Sequence, residues 1–94
     1  MVKLSTEPFK KNGLWYKQIK RTDSKAMYGI KLTENSSESY HGYEVFIVKI
    51  IPKTMAFGKE YPEREKFPGN EEFGTSAWSL STRERAEKYY EELA

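Results

Sequence analysis

Cysteine is absent from the 94 residues, which excludes a disulfide framework and any thiolate metal site. Histidine occurs once, as His41, and aspartate once, as Asp23. A Cys–His pair is therefore impossible, and a Ser–His–acid triad would have to be built on His41. His41 stands beside Gly42 where a polar loop meets a strand, a position that suits an exposed turn residue. Metal binding would fall to Glu60, Glu63, Glu65, Glu71 and Glu72, yet these are interspersed with Lys59, Arg64 and Lys66, as on a solvated surface. Neither a calcium-loop spacing nor a phosphate-cradling glycine motif is present. No catalytic residue, metal, cofactor or small-molecule substrate is expected.

Long apolar runs are missing as well. The longest, Val45 to Val48, ends at Lys49, far short of the roughly 20 residues that span a bilayer. The N-terminal MVKLSTEPFKKNG lacks the apolar stretch of a signal peptide, so no membrane association and a cytoplasmic location are expected. The apolar fraction is only 37%, but aromatics at 15% make up for it, because each large ring buries about 150–250 Å². A chain this short, well under about 150 residues, is expected to form a single domain.

The chain reads as a basic, flexible leader over residues 1–13, followed by one globular domain over 14–94. Leu14 to Arg21 and Lys25 to Thr33 form two strands around Thr22-Asp23-Ser24. In the second, Ala26, Tyr28, Ile30 and Leu32 share a face, the period of two of a half-buried strand. Tyr43 to Ile51 alternates Val45 and Ile47 with Phe46, Val48 and Ile50, which implies a central strand covered on both sides. Pro52 ends it. A loop over about 52–74 shows neither strand nor helix periodicity, and its length marks it as functional or disordered. Phe57, Tyr61, Phe67 and Phe73 argue for order. Thr75 to Leu80 is a short fourth strand, with Trp78 and Leu80 on one face. Ser81-Thr82-Arg83-Glu84 has capping-box spacing, and Ala86, Tyr89, Tyr90 and Leu93 make one helical stripe. The expected fold class is α+β: a mainly antiparallel four-stranded sheet with one C-terminal helix on a face, β-β-β-β-α.

Charge is uneven. Residues 1–31 hold eight Lys/Arg against Glu7 and Asp23, whereas residues 59–94 hold six bases against nine acids. On the basic hairpin, Trp15 and Tyr16 interleave with Lys17, Lys20, Arg21 and Lys25, a pattern that could stack bases and follow phosphates. Tyr28 belongs to the apolar face and is expected in the core. The long loop offers a second surface. There Tyr61, Glu63 and Arg64 lie between Pro62 and Pro68 or next to them, and Glu71 and Glu72 add acid. Together with Glu87, Glu91 and Glu92 they are expected to form an acidic face for a basic partner.

The segments Tyr43-Glu44-Val45-Phe46, Phe57-Gly58-Lys59-Glu60-Tyr61-Pro62, Pro68-Gly69-Asn70-Glu71-Glu72-Phe73-Gly74 and Ala77-Trp78, followed by a C-terminal helix, resemble small proteins encoded by bacteriophages and other bacterial mobile elements. The resemblance spans Tyr43 to Leu93 and implies an accessory role, such as inhibiting a host defence factor; it assigns no site residue. The expected function is non-catalytic binding of a host protein through Tyr61, Glu63, Arg64, Glu71 and Glu72. The alternative is nucleic-acid binding through Trp15, Lys17, Lys20, Arg21 and Lys25.

Overall fold

In the computed structural model, which describes residues 2–34 and 39–93, nine strands, one 3₁₀ turn and one helix follow in order. The strands are β1 (Phe9–Lys11), β2 (Leu14–Arg21), β3 (Lys25–Lys31), β4 (Gly42–Ile47), β5 (Lys49–Ile51), β6 (Thr54–Ala56), β7 (Lys59–Tyr61), β8 (Arg64–Lys66) and β9 (Ala77–Leu80). The 3₁₀ turn spans Asn70–Glu72, and α1 spans Arg83–Glu92. The main sheet is antiparallel in the order β1-β2-β3-β4-β9. It therefore has five strands where four were expected, with the helix C-terminal as read from the sequence.

The extra strand comes from the expected leader. Asn12 and Gly13 take φ of 53° and 80°, the left-handed pair of a type I′ turn, and fold β1 back on β2. Farther upstream, Leu4 and Phe9 pack into the core, and Val2 bridges Arg64. Residues 2–13 are thus part of the fold rather than a leader outside it.

Alternation along β3 and β4 sends side chains to two cores. On one face Met27, Tyr43, Val45 and Leu80 meet Ala86 and Tyr90 of α1, with Trp78, Tyr89 and Leu93 at the margin. On the other face lie Tyr16, Ala26, Tyr28, Phe46 and Ala77. Phe67 inserts there among Phe9, Tyr16, Tyr28 and Phe46, with centroids 5.6, 5.4, 5.2 and 5.1 Å away. All four contacts are edge-on, each contributing about 0.5–1.5 kcal/mol beyond the buried area. Phe73 joins the same core, so these two loop aromatics hold the long loop against the sheet.

Three local expectations are corrected. Leu32 lies beyond the end of β3 and is exposed instead of sharing the face of Ala26, Tyr28 and Ile30. The strand expected over 43–51 breaks at Val48, whose N–H donates to Ser24 O, and β5 leaves the main sheet. The helix cap is Thr82 rather than Ser81: Thr82 is extended (φ −127°, ψ 151°) and its hydroxyl accepts from Arg85 N. The N3 position then falls on Arg85, so no capping box closes with Glu84.

No helix among the described residues is long and apolar enough to cross a membrane.

Candidate functional site

The loop expected over 52–74 contains most of a hairpin. β5 pairs with β8 through Lys49↔Lys66, Ile50↔Glu65 and Ile51↔Arg64, and β6 pairs with β7 through Thr54↔Tyr61, Met55↔Glu60 and Ala56↔Lys59. Both ladders obey one register, so Lys49 to Lys66 is a single hairpin interrupted where Pro52 and Pro62 each remove a backbone donor. The sequence conceals this because the turn is Phe57-Gly58 and not Asn-Gly.

The base of the hairpin is tied down by two buried carboxylates. Glu65 accepts from Arg21 Nη1 and Nη2 at 2.6 and 2.8 Å and from Leu4 N at 2.9 Å. The paired Arg21 donors hold its carboxyl at about 2, against the opposing effect of burial. Glu72 accepts from Gly69 N at 2.7 Å and faces Lys49 and Lys66 at 3.0 and 3.2 Å; the Gly69 N–H foremost, and then the two ammonium groups, hold its carboxyl at about 2. These contacts join β5, β8, the 3₁₀ turn and the N-terminal segment into a layer over the Phe67 core.

Beyond the prolines the hairpin stands free. Among the described residues, β6 and β7 form a two-stranded sheet with no third strand. The radius of gyration is 14.1 Å, against about 12.4 Å for a compact chain of this length. Apolar side chains are exposed along this arm, Met55 68%, Tyr61 38% and Phe57 100%, and Ile50 is 51% exposed at its base. Phe57 also has φ of 52°, with Gly58 at 74°. A left-handed conformation costs a bulky L-residue about 1–2 kcal/mol, and a fully exposed ring recovers none of it by burial. The tip therefore carries an aromatic residue that the fold does not need.

The residues expected at a protein-binding surface are only partly brought together. Tyr61 lies on the arm, Glu63 is exposed beside Pro62, and Arg64 is half-buried at the base opposite Ile51. Glu71 is exposed on the 3₁₀ turn, whereas Glu72 is buried and committed to Lys49 and Lys66. The acidic face does not form. Glu71 and Glu72 belong to the layer over the Phe67 core, while Glu87, Glu91 and Glu92 ride on α1 across the sheet. Met55 and Phe57 were not among the expected site residues. The signal available for them was an aromatic-Gly pair centred between Pro52 and Pro62.

The basic hairpin is largely spent on internal contacts. Lys20 Nζ lies 2.7 Å from Glu87 and 4.6 Å from the Tyr90 ring centroid. Arg21 is held by Glu65. Lys25 Nζ donates to the carbonyls of Tyr90 and Leu93 at 2.7 and 3.1 Å, capping the C-terminus of α1. Trp15 and Lys17 take no part in these contacts. Asp23 and His41 sit beyond opposite ends of β3, about 20 Å apart at strand rise. Among the described residues no group of three or more His, Asp or Glu could hold a metal ion.

No protein-family model, no curated protein and no solved structure matches this chain.

Proposed function

We propose that this protein is a non-catalytic binding module that inserts the tip of its hairpin arm into an apolar pocket on a partner protein. The observation that carries this reading is Phe57: fully exposed, and held in a backbone conformation that a bulky side chain disfavours. Strain at a residue with no structural task is expected where the residue serves contact with something else. Behind it Met55 and Tyr61 expose apolar area on opposite faces of the ribbon, and aromatic anchors like Phe57 dominate binding energy at interfaces. The clamped base holds the arm in place, which lowers the ordering cost on binding. The resemblance to mobile-element proteins extends the proposal to an accessory or inhibitory role toward a host factor. Nucleic-acid capture by the basic hairpin is the weaker reading, because Lys20, Arg21 and Lys25 already have partners within the chain.

Phe57→Asn separates function from folding. Asn-Gly is the favoured type I′ pair, so the variant should gain about 0.5–1 kcal/mol in chemical denaturation. In nuclease-treated lysate of the source cell, the wild type should retain a stoichiometric protein that Phe57→Asn loses. Equal retention by both proteins, or retention of a protein only when nuclease is omitted, would overturn the proposal.

A further inference from the structure

A second feature lies at the far end of the sheet and is independent of the arm. In β1–β2 and β2–β3 pairing, Lys10 is opposite Trp15 and Trp15 is opposite Lys31, while Lys17 is opposite Gly29. Directly paired residues point to the same face of a sheet. Trp15, Lys10, Lys17 and Lys31 therefore share the face that carries α1, at the end away from the helix. A Cβ on Gly29 would come within 2.3 Å of the Tyr40 ring, so the glycine allows that ring to lie directly on the sheet. Tyr43 then packs beside Tyr40 at 5.7 Å, and Lys31 Nζ sits 4.8 Å from the Tyr40 centroid.

These residues enclose a cleft of about 100 Å³ lined by Pro8, Trp15, Lys17, Lys31, Glu34 and Tyr40. A drug-sized site needs about 300 Å³ or more, so this cleft suits partial insertion of one flat ring rather than enclosure of an extended ligand. Trp15 makes no ring–ring contact and its indole N–H has no acceptor among the described residues. Lys10 and Lys17 make no ion pair among the described residues, in contrast with Lys20, Arg21 and Lys25. The Trp15 ring with its unused N–H donor, the Glu34 carboxylate and the Lys17 ammonium thus line one cleft, and Lys10 neighbours it as the cross-strand partner of Trp15.

We propose that this cleft binds a nucleobase carrying a phosphate: the base lies against Trp15 and Tyr40, and the phosphate meets Lys17 and Lys10. Stacking is tolerant of sequence because every base has a π-face, and ammonium groups track the phosphate. Glu34 can accept from a ring N–H or an exocyclic amine. The same chemistry comes from a free mononucleotide or from an unpaired nucleotide of a single strand, and the test has an arm for each.

Amide and indole NMR spectra would be recorded on the intact chain with uridine monophosphate, adenosine monophosphate, uridine, and a ten-nucleotide thymidine oligomer. A saturable shift of the Trp15 indole signal, with the Trp78 indole unmoved, is expected with the nucleotide or the oligomer. Response to mononucleotides identifies the free nucleotide as a ligand, and response to the oligomer alone identifies the single strand. Both outcomes support the site. Uridine should bind about tenfold more weakly than its monophosphate, and the Lys10→Gln, Lys17→Gln double variant about tenfold more weakly than wild type. Lys88→Gln, on the exposed side of α1, should bind normally. These substitutions are exposed, so unfolding would not mask the result. No Trp15 shift with any ligand, or binding indifferent to Lys10 and Lys17, would overturn the proposal.

Discussion

Glu65→Gln removes the charge that ties the arm to the sheet while nearly preserving shape. In the wild type the Arg21 and Glu65 side chains are only 18% and 3% exposed, so the small value of a surface ion pair does not apply. Breaking a buried pair leaves one uncompensated charge and costs about 3–5 kcal/mol. The titration gives a comparable figure: a carboxyl held at about 2 rather than 4.5 is worth about 3 kcal/mol at neutral pH. For 94 residues the unfolding entropy is about 0.2 kcal/mol/K, so 3 kcal/mol lowers Tm by about 15 °C. Because the folded-state value is depressed, this stability is fully present above pH 4.5 and is lost as pH falls from 4.5 toward 2. Thermal unfolding followed by circular dichroism at pH 7 and near pH 2 is the assay. A gap of about 15 °C between wild type and variant at pH 7 should nearly close at the lower pH. A difference below about 3 °C at pH 7, or one that persists unchanged at pH 2, would refute the clamp. Arg21 would then return to the pool of cations free to meet a ligand.

Glu44→Gln should have the opposite sign. Glu44 is buried with Oε1 unpartnered and only a 3.3 Å bond from the Tyr16 hydroxyl, and burial raises its carboxyl above the ordinary value. Its raised value means the folded state prefers the proton, so the wild type loses stability as pH rises past 4.5. The variant should be more stable at pH 7 by about 1 kcal/mol, with a smaller gain at pH 4, measured by urea denaturation. Gly29→Ala should cost about 1–3 kcal/mol by forcing the Tyr40 ring off the sheet, and the Tyr40 and Trp15 NMR signals should shift together.

The regular parts of the fold were legible because local periodicity determines them. Alternation placed Ala26, Tyr28 and Ile30 on one face and Val45 opposite Phe46, and the Ala86, Tyr89, Tyr90, Leu93 stripe found the helix. At the N-terminus, Asn12-Gly13 carried its turn signal openly, yet β1 is only three residues long and has almost no period to display. The arm was hidden for a different reason. Phe57-Gly58 violates the residue preference of its own turn, and two prolines divide the ladder into pieces of three residues. Long-range ion pairs leave no local pattern at all. Lys20 reaches 67 residues to Glu87 and Arg21 reaches 44 to Glu65, so the basic hairpin looked available when most of its charge was already used.

The same division sets the functional account apart from a generic small domain. Charged groups of the hairpin, the helix end and the ribbon base are spent on holding the structure together. What remains unspent are an apolar arm tip at one place and an aromatic, basic cleft at another. Only the arm tip combines exposure with backbone strain, which makes it the more specific of the two.

The most direct measurement is site-specific photocrosslinking from the arm. A photoreactive phenylalanine analogue at position 57 keeps the ring and the turn, and irradiation in the source cell would trap whatever the tip touches. One dominant protein adduct is expected from position 57, a weaker one to the same protein from position 55, and none from position 84 on the exposed side of α1. Equal, diffuse labelling from all three positions, or an adduct from position 84 alone, would contradict it.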